Sequence, residues 1–196
     1  LASLDQIRQL GEAILNDYDE IDLLINNAGI AFATDRSVSE DGHELHFQVN
    51  YLSHFLLTAM LLPRLRESAP SRIINVSSIA QQAIDFDDVM LEASFDGGRA
   101  YAQSKLAQVL HTFDLAEELD GEVVAQRGDV DLLDDLAVGE QAEAAALLVE
   151  VVEELAQPAA QRLRQALVLH EAVEPHEVLP ALVLVLVQRR EDDGDV

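Results

Sequence analysis

Two short runs, Asp22-Leu23-Leu24-Ile25-Asn26 and Arg72-Ile73-Ile74-Asn75-Val76-Ser77-Ser78, are apolar on consecutive residues rather than on alternate ones. A strand with one wet face alternates, whereas a continuous apolar run fits a strand covered on both faces, as in a parallel sheet. The second run is also rich in β-branched residues, which pack well on a pleated surface. Parallel neighbours cannot be joined by a tight turn and need a crossover, usually a helix. The intervening residues supply one: a polar loop from Thr34 to Gly42 precedes an amphipathic helix predicted from about His43 to Arg66, with Pro63 kinking or shortening its end. Upstream, Ser3-Leu4-Asp5-Gln6 has the form of a capping box. Leu4, Ile7, Leu10, Ile14 and Leu15 then keep helical spacing to about Tyr18. Downstream, a polar excursion from Gln81 to Gly98 leads to a helix predicted from Tyr101 to Leu119, stopped at Asp120-Gly121. This alternation of helix and strand predicts an α/β fold with a doubly wound parallel sheet.

Composition narrows the function. A formal net charge of −25 and a pI near 4.2 argue against nucleic acid or an anionic membrane surface as partner. The absence of cysteine excludes a disulfide framework and a thiolate metal site. The N-terminus has no basic start followed by an apolar run, as a secretory signal would. The late apolar run Leu179 to Val187 is too short to span a bilayer and contains Pro180. The expectation is therefore a soluble, cytoplasmic protein. Leu1, rather than Met, at the first position is expected to mark a start inside a larger reading frame.

The alphabet changes after Phe113. From Asp114 to Val196 the chain uses ten amino acids (Asp, Glu, Ala, Val, Gly, Leu, Pro, His, Gln, Arg), and all nine Phe and Tyr residues lie earlier. Those ten are the set encoded by codons beginning with G or C, which a shifted or antisense reading of a GC-rich gene would produce. Residues 1–121 are accordingly expected to form the folded core. Residues 122–196 are expected to be an acidic Ala/Leu/Val/Glu tail, either translated out of frame or a natural helical or disordered segment. Reading all six frames of the source DNA separates these; an unaltered alphabet in every frame would remove the first.

The chemistry concentrates in the core. Lys105 is the single lysine of the chain and stands four residues after Tyr101. On a helix, i and i+4 share a face, and an ammonium beside a phenol favours the phenolate. Tyr101 is thus a candidate general acid/base, although the spacing alone also suits a solvated helix face. Asn26-Asn27-Ala28-Gly29 closes the first strand, at the edge where such sheets bind ligands. Asn50 interrupts an apolar helix segment in which asparagine is a poor helix former. Ser77-Ser78 closes the second strand.

In this order and spacing the residues resemble the short-chain dehydrogenase/reductase family, over roughly Leu1 to Gly121. The stretches Ala69 to Ser78 and Tyr101 to Gln108, and the interval from Ser78 to Tyr101, are most similar to its retinol-dehydrogenase-like branch. The resemblance implies a Rossmann-type fold and an oxidoreductase moving a hydride between NAD or NADP and an alcohol, ketone or aldehyde. It implies Tyr101 as proton donor/acceptor, Lys105 as the group that lowers its pKa and bonds the nicotinamide ribose, and Ser78, in preference to Ser77, as partner of the reacting oxygen. Asn50 is expected to hold a water linking Lys105 to solvent. Asn26, Ala28 and Gly29 are expected against the cofactor, with Asn27 tying neighbouring strands. The long helices imply a homodimer or homotetramer.

The departures are equally definite. The family's first strands and glycine-rich pyrophosphate turn have no counterpart, so NAD and NADP are not distinguished. The strand bearing Asp22 to Asn26 is expected to leave an unprotected edge. A chain in this state could also be a non-catalytic fragment unable to bind cofactor. Val123-Val124-Ala125 is expected as a stub of the family's next strand, with Arg127-Gly128 in place of its Pro-Gly. His43, Glu44 and His46 invite a metal reading, but no third ligand is placed by sequence, and exposed helix polar residues are the preferred reading.

Overall fold

The computed structural model describes residues 1–31 and 33–119 together with the strands Val123–Gly128, Leu167–Leu169 and Val183–Arg189. Helix α1, Leu4–Asp17, passes directly into β1, Tyr18–Asn26. A helical turn α2, Leu45–Phe47, a π-helical turn, Gln48–Leu52, and α3, Ser53–Glu67, follow one another without a break and lead to β2, Ser71–Val76. Helix α4, Gly97–Glu118, leads to β3, Val123–Gly128, and β4 and β5 are Leu167–Leu169 and Val183–Arg189. The sheet order is β3-β2-β1-β5-β4. β1, β2 and β3 are parallel, with Leu24 opposite Ile73 and Ile73 opposite Ala125. The expected α/β core is therefore present, and Val123-Val124-Ala125 opens a complete strand that carries the sheet past residue 121.

One apolar cluster joins the helices to the sheet. It contains Ile7 and Ile14 of α1, Ile21 and Leu24 of β1, Leu57, Leu61 and Leu65 of α3, Ile73 of β2, Leu115 of α4 and Val123 of β3. Leu57, Leu61 and Leu65 recur every four residues and are fully buried, so they form one stripe on α3. Each such side chain contributes about 1.5–3 kcal/mol through its removal from water. α1 crosses α3 at Gly11, where a Cβ would come within 2.7 Å of the Met60 Cε.

A polar ladder runs through the same interface. Asn26 Nδ2 donates to Thr58 Oγ1 at 2.9 Å and to Asn75 Oδ1 at 2.7 Å, and Asn75 Nδ2 donates to Thr112 Oγ1 at 2.9 Å. α3, β1, β2 and α4 are thereby held in one register. Any other pairing would leave buried amides without partners, at about 1–3 kcal/mol each.

Five local expectations change. The capping box does not form: Ser3 makes no side-chain cap bond, and Asp41 Oδ2 accepts from Leu4 N at 2.8 Å across a long sequence separation. Tyr18 begins β1 instead of ending α1. Pro63 lies inside α3 on its exposed side, and the helix runs on to Glu67 without being shortened. α4 begins at Gly97 rather than Tyr101, because Asp96 caps it by accepting from Arg99 N at 2.7 Å. Finally, the β1 edge is covered: β5 pairs antiparallel along it from Asn26↔Val183 to Tyr18↔Arg189. The Val/Leu alternation of Val183 to Val187 has the strand propensity that an open edge recruits. Apart from the three strands, the acidic tail expected after residue 121 lies outside the described residues.

Candidate active site

The carboxyl ends of β1 and β2, the π-helical turn and the first turns of α4 converge on one place. The π-turn Gln48–Leu52 centres on Asn50, and such turns recur at functional sites because the extra residue displaces the normal bonding ladder. At its junction with α3, the Ser53 hydroxyl bonds the Val49 carbonyl at 2.7 Å. The Asn50 side chain clamps the segment after β1: Oδ1 accepts from Ile30 N at 2.8 Å, and Nδ2 donates to Ile30 O at 3.0 Å and to Ser104 Oγ at 2.9 Å. The Ser104 hydroxyl donates in turn to the Tyr101 carbonyl at 2.7 Å. A chain of four groups thus ties the β1 end to the helix bearing Tyr101 and Lys105.

Lys105 is almost fully buried, at 3% exposure. Its ammonium donates to Val76 O at 3.0 Å and to Gln108 Oε1 at 2.9 Å, and it lies 5.9 Å from the centroid of the Tyr101 ring. Burial pushes its pKa down to about 8. Gly29 is packed against the same group: a Cβ there would meet Asn50 Oδ1 at 3.2 Å and Lys105 Nζ at 3.5 Å. Gly29, Asn50, Tyr101 and Lys105 are therefore brought together in space.

Ser78, two residues beyond Val76, is buried. Its Oγ accepts from Ala80 N at 3.1 Å, which leaves the hydroxyl hydrogen available to donate. Ser77 Oγ is buried with no hydrogen-bond partner among the described residues. Ala28 is buried in the apolar cluster, so only its backbone can meet a ligand. Asn26 is fully buried, with both N–H groups engaged in the polar ladder, so its side chain performs the strand-tying task expected of Asn27. Asn27 is half-buried beside it.

The excursion between β2 and α4 is pinned over this region. Gln103 Nε2 donates to Val89 O at 2.7 Å, Arg36 Nε to Met90 O at 3.0 Å, and Arg99 pairs with Asp85 at 3.0 Å. The α4 start touches the opposite loop so closely that a Cβ on Gly97 would stand 1.9 Å from Ala33 O. His46 and Glu44 are buried rather than exposed. Burial opposes the Glu44 charge, but the His46 ring and the His46 and Phe47 N–H groups outweigh it and hold the carboxyl below its ordinary range. His43 Nδ1 lies 2.7 Å from Gln48 Oε1. These residues cap and brace α2. Ser104, Gln108 and His54 were not singled out from sequence, although Gln108 is one helical turn beyond Lys105 and His54 one turn beyond Asn50.

The profile described as short chain dehydrogenase matches residues 1–126. The chain belongs to the short-chain dehydrogenase family. Among curated relatives, human (Homo sapiens) retinol dehydrogenase 13 is 48% identical over 124 residues, covering 62% of this chain and 37% of the relative. A solved structure of an uncharacterised protein from Mycobacterium paratuberculosis is 32% identical with a TM-score of 0.57, covering 65% of this chain and 47% of that one. A metagenomic short-chain oxidoreductase in complex with NADP is 22% identical with a TM-score of 0.50, covering 66% of this chain and 54% of that one, and shares the fold. This short-chain dehydrogenase is retinol-dehydrogenase-like and spans less than two-fifths of the length of the curated relatives it matches. The family is one of oxidoreductases that use NAD or NADP.

Proposed function

We propose that the chain carries the proton-transfer half of an NAD(P)-dependent oxidoreductase acting on an alcohol or carbonyl carbon. The observation that carries this reading is the buried Lys105 ammonium, gathered with Tyr101, Asn50 and bare Gly29 at the carboxyl edge of the sheet. A lysine costs free energy to bury, and function is a sufficient reason to keep it there.

The residues fit a nicotinamide cofactor at this edge. Gly29 presents backbone without a side chain, and two of the three Lys105 N–H groups have protein acceptors, which leaves one for a ribose hydroxyl. The cofactor supplies or receives the hydride. Tyr101 gives or takes the proton at its phenolic oxygen, and Lys105 stabilises the phenolate form. Ser78 donates its hydroxyl hydrogen to the oxygen on which charge develops. Asn50 has both amide hydrogens engaged, so any water it holds is accepted by the second lone pair of Oδ1.

The curated relatives are named for retinol, and this favours an apolar alcohol or aldehyde as substrate class. Exposed Ile79 and Phe86, on the segment following Ser78, supply apolar surface beside the site. Exposed Phe55, Leu110 and Phe113 on α3 and α4 support pairing of two copies through those helices.

One observation favours a second reading. β5 runs antiparallel along the β1 edge, whereas a doubly wound nucleotide site places a parallel strand with a glycine-rich turn there. On this reading the chain as it stands is a non-catalytic fragment. Titrating NADH and NADPH into the chain while following nicotinamide fluorescence decides between them: saturable micromolar binding supports the oxidoreductase, and no binding supports the fragment. Where turnover is measurable, Tyr101→Phe is expected to abolish it and spare cofactor binding. Unchanged turnover in that variant would remove Tyr101 from the mechanism.

A further inference from the structure

Lys105 is held from inside the fold by residues that the proton-transfer site does not include. Its acceptor Gln108 Oε1 is 2.9 Å away, and the other end of the same amide, Nε2, lies 2.9 Å from His54 Nδ1. Gln108 and His54 are 2% and 3% exposed, so solvent does not compete for these bonds.

The two ends of a glutamine amide have the same shape, and only their partners fix which end points where. Lys105 can donate but not accept, so the atom facing it must be the carbonyl oxygen. The NH2 end then faces His54, where Nδ1 accepts from it in preference to donating to the Asn50 backbone, the ring's other neighbour. His54 is therefore neutral, with its proton on Nε2, an atom that is buried and has no hydrogen-bond partner among the described residues. If both ring nitrogens carried protons, an N–H would oppose the amide NH2. The amide would turn, and its NH2 end would face the ammonium.

We propose that Gln108 and His54 are positioning residues for Lys105: neutral His54 orients the Gln108 amide, and the oriented carbonyl fixes the ammonium beside Val76 O and Tyr101. Among the described residues, the titratable and charged groups around this relay are Tyr101 on the same helix, His54 on α3, and the Leu1 α-amine, whose positive charge also acts on His54. The catalytic meaning of the relay rests on the oxidoreductase reading, but its structure does not.

Because the chain contains one lysine, lysine labelled with 13C at Cε alone gives a single resonance whose pH titration reports Lys105. Gln108→Leu is expected to move that titration about one pH unit lower, a tenfold change in proton affinity, because a hydrogen bond to the charged form is lost. Gln108→Glu is expected to move it higher. A midpoint unchanged in either variant overturns the proposal. Histidine 15N shifts of the unmodified chain, with His54→Phe identifying the signal, are expected to show the Nε2–H tautomer from pH 6 to 8. An Nδ1–H tautomer or a protonated ring overturns the proposal even where the Gln108 variants do not fold. None of these measurements needs cofactor or turnover, so failure here and failure of NADPH binding are separate results.

Discussion

Replacing Lys105 with methionine is expected to make the fold more stable while removing its proposed chemistry. The folded-state pKa is pushed from 10.5 to about 8 by burial, so at pH 7 the lysine is charged in both states and burying that charge is unfavourable. At about 1.36 kcal/mol per pH unit, the difference amounts to about 3 kcal/mol. Methionine has similar length and no charge, but it removes the donor from both Gln108 Oε1 and Val76 O, which costs about 1 kcal/mol each. The net expectation is a variant about 1 kcal/mol more stable at neutral pH. The sign of the pH dependence provides the sharper check. Between pH 8 and 10.5 the unfolded lysine still binds a proton that the folded one has released, so wild-type stability rises through that window relative to the variant. The advantage of Lys105→Met should therefore hold below pH 8, shrink above it and reverse near pH 9. Urea unfolding followed by far-ultraviolet circular dichroism at pH 7 and pH 10 measures both numbers. A variant less stable at pH 7, or an advantage equal at both pH values, would refute the reasoning.

The adjacent glycines of α4 should respond unequally. A Cβ at Gly97 would stand 1.9 Å from Ala33 O, a backbone atom that cannot move alone. Gly97→Ala should therefore destabilise the fold by several kcal/mol, on the order of an overpacked core site. At Gly98 the nearest atom is the capping oxygen Asp96 Oδ1 at 3.3 Å, on a side chain that can shift by a few tenths of an ångström, so Gly98→Ala should change stability by less than about 1 kcal/mol. Chemical-denaturation midpoints of the two variants compare them directly. In acid, His54 should contribute to the loss of stability: burial, with the Lys105 charge, pushes its pKa from 6.5 to about 3. Its contribution to stability is complete above pH 6.5 and is lost as pH falls toward 3, where the unfolded chain binds a proton that the folded chain refuses. His54→Phe should flatten this part of the stability–pH curve, and an unchanged acid transition would show that another group dominates it.

The legible parts of the sequence were those in which one residue's chemistry or a local period decides the outcome. The unbroken apolar runs at Leu23 to Ile25 and Ile73 to Ile74, short and partly β-branched, read as strands covered on both faces, and they are parallel neighbours. The spacing of Tyr101 and Lys105 placed both on one helix. Asn50, a poor helix former among apolar residues, marked the π-turn. Errors fell where a distant partner overrides a local pattern. Ser3-Leu4-Asp5-Gln6 is a sound cap in isolation, yet Asp41 reaches Leu4 N first. Gly97-Gly98 looks like the end of a loop, yet Gly97 is required inside the helix by the closeness of Ala33. Asn26 and Asn27 are indistinguishable as letters, and only the position of Asn75 on the neighbouring strand decides which side chain turns into the core.

Sequence by itself determined the α/β class and the order of elements through α4, and it nominated the residues of the proposed proton chemistry, because periodicity and side-chain chemistry are local properties. Tertiary structure alone decided that the Lys105 ammonium is buried against Val76 O and Gln108, that His54 stands behind it, and that β5 covers the β1 edge. Those outcomes depend on which groups compete for the same donor, acceptor or open strand in space. Such competition has no periodic signature along the chain.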